Sequence, residues 1–234
     1  MKPLQSDASA FFDRAYSTAS PKIWYGFSRP IHHNIQGLLF GHRFSKSDYG
    51  GMMRHTEAAM LSRWAGEVPE GGTIVEIGCY GGLSTSYLLM GSRRNRARIF
   101  SIDPFDSDLR KQADLTDNCV PLEAKPSLAT VRERLARTGE GHRVELIEGY
   151  SQEVVRDWTR KIDFLWIDGN HDQAYQDFVD WSPFLNPAAR VAFHDAHPRY
   201  GYRQVAEDAR RVFTSGGWTR LEHVKGIVSG VRAG

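Results

Sequence analysis

The sequence predicts an α/β protein built on a doubly wound, mostly parallel, seven-stranded sheet. Short runs of β-branched and aromatic residues alternate along the chain with segments whose apolar residues recur at helical spacing. This alternation is typical of parallel strands joined by right-handed crossovers, with helices on both faces of the sheet. Several runs also end in glycine or in an acidic residue, at the edge where parallel sheets bind their ligands.

The elements follow one another from residue 51 to the carboxyl terminus. The predicted strands are 73–77, 98–103, 143–151, 161–171, 190–198 and a closing pair, WTRLEHV and GIVSGVRA, around Lys225–Gly226. The helices are predicted at 51–66, 83–90, 128–135, 172–185 and 202–217. Asn186–Pro187 predicts a turn before the fifth strand. In the helix before this turn, Tyr175, Phe178 and Val179 are expected to face the sheet, with Trp181 as a further candidate.

Residues 1–50 lie outside this alternation. A helix is predicted at 6–16, and the segment that follows, IWYGFSRPIHHNIQGLLFGHRF, is too apolar to be a free linker. We therefore predict an N-terminal helical and aromatic extension, residues 1–50, that forms a lid over the carboxyl edge of the sheet or a homodimer surface. The main domain is predicted to be residues 51–234.

Composition and charge limit the classes of partner. The net charge of +2 and the charged fraction of 25% indicate no nucleic-acid surface. No apolar run approaches the roughly 18 residues of a membrane span. The two cysteines, Cys79 and Cys119, make neither a disulfide framework nor a zinc site, so reduced thiols in a cytoplasmic protein are expected.

The stretch TIVEIGCYGGLSTS, residues 73–86, predicts a buried strand, a glycine turn and a helix start. Gly78 and Gly82 allow the backbone to turn sharply and to approach a ligand closely. Ser84 is expected to cap the helix, whose free N–H groups favour an anionic or polar ligand. The spacing Glu76-x-Gly78-x-x-x-Gly82 differs from the dinucleotide motif Gly-x-Gly-x-x-Gly. On its own, the pattern also fits a glycine turn after any buried strand.

The same stretch resembles the first motif of the class I S-adenosylmethionine (SAM) methyltransferases. The order of elements from about residue 55 onward is similar to the seven-stranded, Rossmann-like plan of that family. In the family, the acidic residue and the glycine turn hold the amino-acid end of SAM. The residues that the resemblance assigns to the cofactor SAM are Glu76, Gly78, Gly82, Ser84 and, beside the adenine, Ser151.

Asp103 ends the second predicted strand. Folds with a parallel sheet that bind nucleotides place an acidic residue about 20 positions beyond the glycine turn, where it hydrogen-bonds a ribose. A carboxylate suits this role because it accepts from both ribose hydroxyls. We predict that Asp103 binds the ribose of SAM, although an aspartate before Pro104 also fits a simple turn cap.

Four ionisable residues lie toward the carboxyl ends of the fourth and fifth predicted strands: Asp168, His171, His194 and Asp195. These strands are neighbours in the predicted plan, so the two aspartates are expected to meet beside the methyl donor, with Asp168 also touching SAM. Two carboxylates suit a divalent cation such as Mg²⁺, which lowers the pKa of a bound hydroxyl and orients its oxygen. A histidine would then be the general base, with His171 ranked ahead of His194. The alternative is that the aspartates only cap the following segments and that His171 only begins a helix.

The string Asp168-Gly-Asn-His171, followed by Trp181-Ser-Pro and His194–Asp195, resembles a narrower group. This group contains metal-dependent O-methyltransferases that modify sugars on macrolides and polysaccharides, and a cephalosporin-hydroxylase-like branch. The resemblance implies a divalent cation, Mg²⁺ or another, held by Asp168, Asp195 and His194. It also implies a homodimer and an acceptor hydroxyl on a sugar, an oligosaccharide or a glycosylated natural product. The chain departs from the group by carrying His194–Asp195 where two carboxylates are usual, which puts the third metal ligand in doubt.

Two other functions fit the same fold. One is a nicotinamide-dependent oxidoreductase, against which the missing Gly-x-Gly-x-x-Gly argues, because a pyrophosphate needs that close approach of the backbone. The other is a protein that binds SAM without transferring its methyl group.

Overall fold

The computed structural model describes residues 4–17, 53–105 and 126–234. Strands β1 to β7 are Thr73–Ile77, Arg98–Asp103, Val144–Glu148, Ile162–Ile167, Leu185–Phe193, Trp218–Val224 and Ile227–Arg232. Helices α1 to α7 are Leu4–Ser17, His55–Gly66, Leu83–Gly91, Leu128–Ala136, Ser151–Val154, Ala174–Trp181 and Arg203–Thr214. The strands form one sheet in the order β3-β2-β1-β4-β5-β7-β6. β1 to β5 are mutually parallel and β7 is antiparallel to both of its neighbours, which confirms the predicted fold class.

The register of the four central strands aligns their carboxyl ends. Ile77, the last residue of β1, pairs with Ile102 of β2 and with Ile167 of β4. Ile167 in turn pairs with Phe193, the last residue of β5. These strands are rich in β-branched and aromatic residues because helices cover the sheet on both faces. The residues that immediately follow the four strands therefore start from one edge of the sheet.

Two groups of buried side chains, one on each face of the sheet, form the core. On one face, α2 and α3 contribute Leu61, Trp64 and Leu88. On the other face, α6 and α7 contribute Trp181 and Phe213. All five side chains are buried almost completely, and burying one such apolar side chain contributes about 1.5–3 kcal/mol. The edge that carries the candidate site is thus supported from both sides.

Helix α1 packs on the second face, against α7. Phe12 is fully buried and its ring stacks on Phe213 with 6.4 Å between centroids. Tyr16 donates a hydrogen bond of 2.9 Å to the carbonyl oxygen of Ala206. The helix predicted at 6–16 is therefore present as Leu4–Ser17.

The aromatic segment predicted as a lid or dimer surface falls within residues 18–52, which lie outside the described residues. Cys119 also lies outside the described residues. The division of the chain at residue 50 stays a prediction. None of the helices in the described ranges is long and apolar enough to cross a membrane.

The predicted turn at Asn186–Pro187 is wrong. Leu185–Phe193 is a single strand that includes these two residues. The strand absorbs them through a register irregularity beside β4, where Ala188 has a φ of +61°. Proline lacks an N–H donor, and a strand tolerates it where an irregularity interrupts the ladder.

The predicted orientation of Val179 in α6 is also wrong. This side chain is 39% exposed, whereas Trp181 is fully buried. Ala174 and Trp181 lie seven residues apart, about two helical turns, and therefore share the face that packs on the sheet. Val179 lies on the opposite side of the same helix.

Candidate active site

The glycine turn after β1 contains three residues in the left-handed region: Gly78 (φ +85°), Tyr80 (φ +45°) and Gly82 (φ +85°). The N–H of Gly78 donates to the carbonyl of Ile102, which joins the turn to β2. A Cβ at position 78 would lie 2.3 Å from the carbonyl oxygen of Asp168. Glycine is therefore required here by contact with the end of β4, which brings the turn and Asp168 together.

Ser84 does not cap α3, contrary to the prediction. The helix begins at Leu83 with left-handed Gly82 in the N-cap position, and no side chain caps it. A serine inside the first turn is past the position from which its oxygen reaches the free N–H groups. Ser84 is buried at the start of α3, and its assignment to SAM stays a prediction.

The carboxylate of Asp103 holds the glycine turn in place. One oxygen accepts from the backbone N–H of Cys79 (3.2 Å) and of Tyr80 (2.8 Å), and the other accepts from the N–H of Phe105 (2.9 Å). Asp103 therefore caps the turn and also ends β2, as the sequence predicts. Ribose binding by Asp103 stays a prediction.

Glu76 is fully buried at the carboxyl end of β1. Its Oε2 accepts hydrogen bonds from the hydroxyls of Thr85 (2.6 Å) and Ser101 (2.5 Å). Its Oε1 has no hydrogen-bond partner among the described residues. Burial raises the pKa of Glu76 to about 7, although the hydroxyls of Ser101, Ser84 and Thr85 oppose this shift. A buried carboxylate oxygen without a partner is a feature that a cationic ligand would satisfy.

Glu76 is expected to make the stability of the protein depend on pH. Its pKa is about 7 in the folded protein against an ordinary value of 4.5. Between these values the folded state holds a proton that the unfolded chain has lost, so raising the pH lowers the free energy of unfolding, by about 3 kcal/mol in all. Urea unfolding from pH 4.5 to 8 should show this decline in the wild type and a flatter profile in Glu76→Gln. Equal slopes in the two proteins would contradict the assignment.

Ser151 follows β3 closely, as predicted, and is the first residue of α5. Its hydroxyl donates to Oδ1 of Asp177 in α6 at 2.5 Å. Gln152 donates to the same oxygen at 3.1 Å. Burial raises the pKa of Asp177 to about 6, against the opposing effect of the Ser151 hydrogen bond. Nothing in the sequence indicated this buried carboxylate, and contact of Ser151 with adenine stays a prediction.

The structure brings together the four ionisable residues that follow β4 and β5. The Nδ1 of His194 lies 2.9 Å from Oδ1 of Asp168 and 3.5 Å from Oδ2 of Asp195. The Nε2 of His171 lies 3.3 Å from the same Oδ2 of Asp195. Asp195 has a φ of +51°, a conformation that few residues other than glycine adopt. The cluster is therefore two histidines bridged by Asp195, with Asp168 on His194, against the glycine turn.

Charge stabilises this cluster. Burial alone would lower the pKa of His194, but Asp168, Asp195 and Glu57 together raise it well above its ordinary value. Burial tends to raise the pKa of Asp195, but His171 and His194 hold it far below its usual range. The imidazole of His194 therefore carries a positive charge between carboxylates when no other cation is present.

The same atoms form a possible donor set for a metal ion. One ligand atom from each of Asp168, His194 and Asp195 lies within 4.8 Å of the others, and no second such group occurs within the described ranges. Mg²⁺ prefers oxygen ligands, whereas an imidazole suits a first-row transition metal. This donor set therefore fits Mn²⁺ or a similar ion as well as Mg²⁺.

One residue of the cluster was missed by sequence reasoning. Glu57, in the first turn of α2, is fully buried, and its Oε2 lies 3.9 Å from Nε2 of His194. The only signal was its spacing from Arg54, since the two form a capping box at the start of α2. That spacing predicts a helix start and does not indicate contact with the residue that follows β5.

A model of a methyltransferase-domain family matches residues 75–196, more than half of the chain. The matched stretch contains most of β1, the glycine turn and all four clustered residues. The chain belongs to this family. The predicted resemblance to class I methyltransferases is thereby confirmed.

Solved structures similar to this methyltransferase share its fold. One is a methyltransferase of Podospora anserina with bound S-adenosylhomocysteine (SAH), at 17% identity and a TM-score of 0.59, covering 100% of this chain and 97% of that one. Another is the O-methyltransferase TomG of Streptomyces achromogenes, involved in tomaymycin synthesis and solved with SAM. It is 16% identical with a TM-score of 0.56, and the match covers 99% of this chain and 97% of that one. A third is an O-methyltransferase of Bacillus cereus with SAH. It is 15% identical with a TM-score of 0.54, and the match covers 97% of this chain and 100% of that one.

Proposed function

We propose that this methyltransferase transfers the methyl group of SAM to a hydroxyl of a sugar, an oligosaccharide or a glycosylated natural product. The observation that carries the proposal is the contact between the glycine turn and the ionisable cluster. The carbonyl oxygen of Asp168 fills the place that a Cβ at Gly78 would need. A donor bound at the turn would therefore present its methyl group close to the side chains of Asp168 and His194.

The residues at the turn suit SAM. When bound, SAM supplies an electrophilic methyl group and carries an ammonium at its amino-acid end. The unpartnered Oε1 of Glu76 is a buried acceptor of the kind that an ammonium satisfies. The residues proposed to hold SAM are Glu76, Gly78, Gly82, Ser84, Asp103, Ser151 and Asp168. Two structural neighbours described above were solved with SAH and one with SAM.

His171 is the better placed of the two histidines to accept the acceptor's proton. The side chain of His171 is 28% exposed, whereas that of His194 is only 8% exposed. Its ring stacks on Tyr202 with 3.7 Å between centroids, which limits its rotation. Donation from Nε2 to Asp195 leaves Nδ1 to take the proton from the hydroxyl. The hydroxyl oxygen then bonds to the methyl carbon as the carbon–sulfur bond breaks and its electron pair passes to sulfur.

A divalent cation is the second part of the proposal. Asp168, Asp195 and His194 would hold it, and it would supply positive charge beside the acceptor oxygen and so favour loss of the hydroxyl proton. Without such an ion, the charged ring of His194 occupies the same place between the two carboxylates.

His171→Gln is expected to lower kcat by about 10²–10⁴-fold with SAM affinity unchanged, because glutamine retains polarity but cannot take up the proton. Steady-state kinetics and calorimetric titration with SAH measure the two quantities. His142, in the turn before β3, offers a matched control, since His142→Gln should leave both unchanged. A wild-type kcat in His171→Gln would move the role of base to His194.

The overall proposal is tested by transfer of a radiolabelled methyl group from SAM to neutral sugars, oligosaccharides and catechols, with and without EDTA. We expect transfer to a hydroxyl acceptor that EDTA abolishes and that Mn²⁺ or Mg²⁺ restores. Activity that resists EDTA would remove the metal from the mechanism. SAM binding without transfer to any acceptor would favour the SAM-binding alternative, and binding of NAD without SAM would favour the oxidoreductase.

The choice of a sugar acceptor is supported by the resemblance of the Asp168-Gly-Asn-His171 string and of His194–Asp195 to the sugar-modifying group. The homodimer and the cytoplasmic location likewise remain predictions from the sequence.

A further inference from the structure

Glu57 is a buried carboxylate that reaches the candidate site from outside the sheet. Its Oε1 accepts from the backbone N–H of Gly226 (2.8 Å) and from Nη1 of Arg54 (3.1 Å). Its Oε2 accepts from the backbone N–H of Arg54 (2.7 Å) and faces Nε2 of His194 at 3.9 Å. Three N–H groups from two residues thus fix the carboxylate, and one oxygen points at the imidazole.

We propose that Glu57 is a positioning residue for His194. The negative charge of its carboxylate, 3.9 Å from Nε2, favours the ring orientation in which Nε2 faces Glu57 and Nδ1 faces Asp168 and Asp195. A carboxylate beside the second nitrogen of a histidine orients the ring and tunes what the first nitrogen does. Its effect on catalysis rests on the proposed function, whereas its effect on the ring does not.

The surroundings of His194 support a fixed ring. The ring of Trp166 packs against the imidazole, with 5.5 Å between centroids. His194 is 7% exposed, so water competes little for Nε2. Glu57 is fully buried, and a buried charge is destabilising unless partners offset it. Capping α2 needs no buried carboxylate, because capping boxes form on exposed helix ends, so the buried placement is accounted for by the imidazole and by Gly226.

The test uses Glu57→Gln, which keeps the shape and removes the charge. Its matched control is Asp163→Asn, at the other end of β4, where a carboxylate also accepts from one backbone N–H, of Thr73, and one side-chain N–H, of Asn186. The first readout is the Nε2–H proton resonance of His194 in protein with ¹⁵N-labelled histidine, assigned by its loss in His194→Asn. The second is kcat and KM for methyl transfer.

We expect Glu57→Gln to shift the Nε2–H resonance and to speed its exchange with water, and to lower kcat about 10–100-fold with KM for SAM within about three-fold. Asp163→Asn should change neither. In the His194→Asn background, the substitution of Glu57 should change kcat by less than about two-fold, because there is no ring left to position. If Glu57→Gln does not fold, Glu57→Asp, which withdraws the charge from the ring, should change the same resonance.

An unchanged Nε2–H resonance overturns the inference, as does a loss of kcat that is equally large with and without His194. If the wild type neither binds SAM nor transfers a methyl group, the proposed function fails instead. The resonance still decides the role of Glu57 in that case.

Discussion

Gly78→Ala is expected to lower the free energy of unfolding by about 2–5 kcal/mol and to remove SAM binding from whatever protein remains folded. Two effects add. The φ of +85° is unfavourable for any residue with a Cβ. The Cβ would also lie 2.3 Å from the carbonyl oxygen and 2.6 Å from the carbonyl carbon of Asp168. These are backbone atoms at the end of a central strand, so they cannot move aside as a flexible side chain would.

Gly139→Ala separates the two effects, because Gly139 has a φ of +74° and no atom within 4 Å of its would-be Cβ. This control should lose only about 1–2 kcal/mol and should keep SAM binding. Urea unfolding and calorimetric titration with SAH measure the pair. Equal losses of stability in the two variants would show that the contact with Asp168 does not constrain position 78.

Asp168→Asn is expected to lower kcat by about 10³–10⁴-fold while the Kd of SAM changes by less than about three-fold. The side chain keeps its shape, and the backbone carbonyl that contacts the glycine turn is unaffected. The amide removes the negative charge that faces Nδ1 of His194 at 2.9 Å and that the proposed cation would need. The control is again Asp163→Asn, a carboxylate-to-amide change at the other end of β4, which should keep full activity.

The two measurements on Asp168→Asn answer different questions. Retention of more than about a tenth of kcat would exclude Asp168 from both metal binding and proton transfer. A large rise in the Kd of SAM would show that the charge of Asp168, and not only its shape, holds the cofactor. Circular dichroism should confirm folding, because removing one partner of a buried ion pair is destabilising by about 3–5 kcal/mol.

The strands and most helices were predictable because they depend on local patterns. TIVEI and IDFLWI are short, mostly apolar runs typical of a strand buried on both faces, and both appear as strands at the expected places in the chain. The failures are also local in origin. Asn186–Pro187 has the composition of a turn, yet the strand passes through it because an irregularity beside β4 makes the N–H of proline unnecessary.

The candidate site divides in the same way. Asp168 and Asp195 were expected to meet because the ends of neighbouring parallel strands meet, and His194 joins them at 2.9 Å and 3.5 Å. Glu57 and Asp177 were not expected, because each lies on a helix whose packing brings it to a partner distant in sequence. Ser84 was assigned a cap that Gly82 occupies, since a left-handed glycine ended the turn two positions earlier.

The amino-acid sequence by itself determined the alternation of strands and helices, the glycine turn and the row of polar residues at the strand ends. These features follow from periodicity and from residue type, which act over a few neighbouring positions. Only the tertiary structure decided which side chain of that row faces which, and that Glu57 completes the surroundings of His194. Such contacts depend on how helices pack across the sheet, and no local pattern along the chain encodes the distance between two side chains that packing brings together.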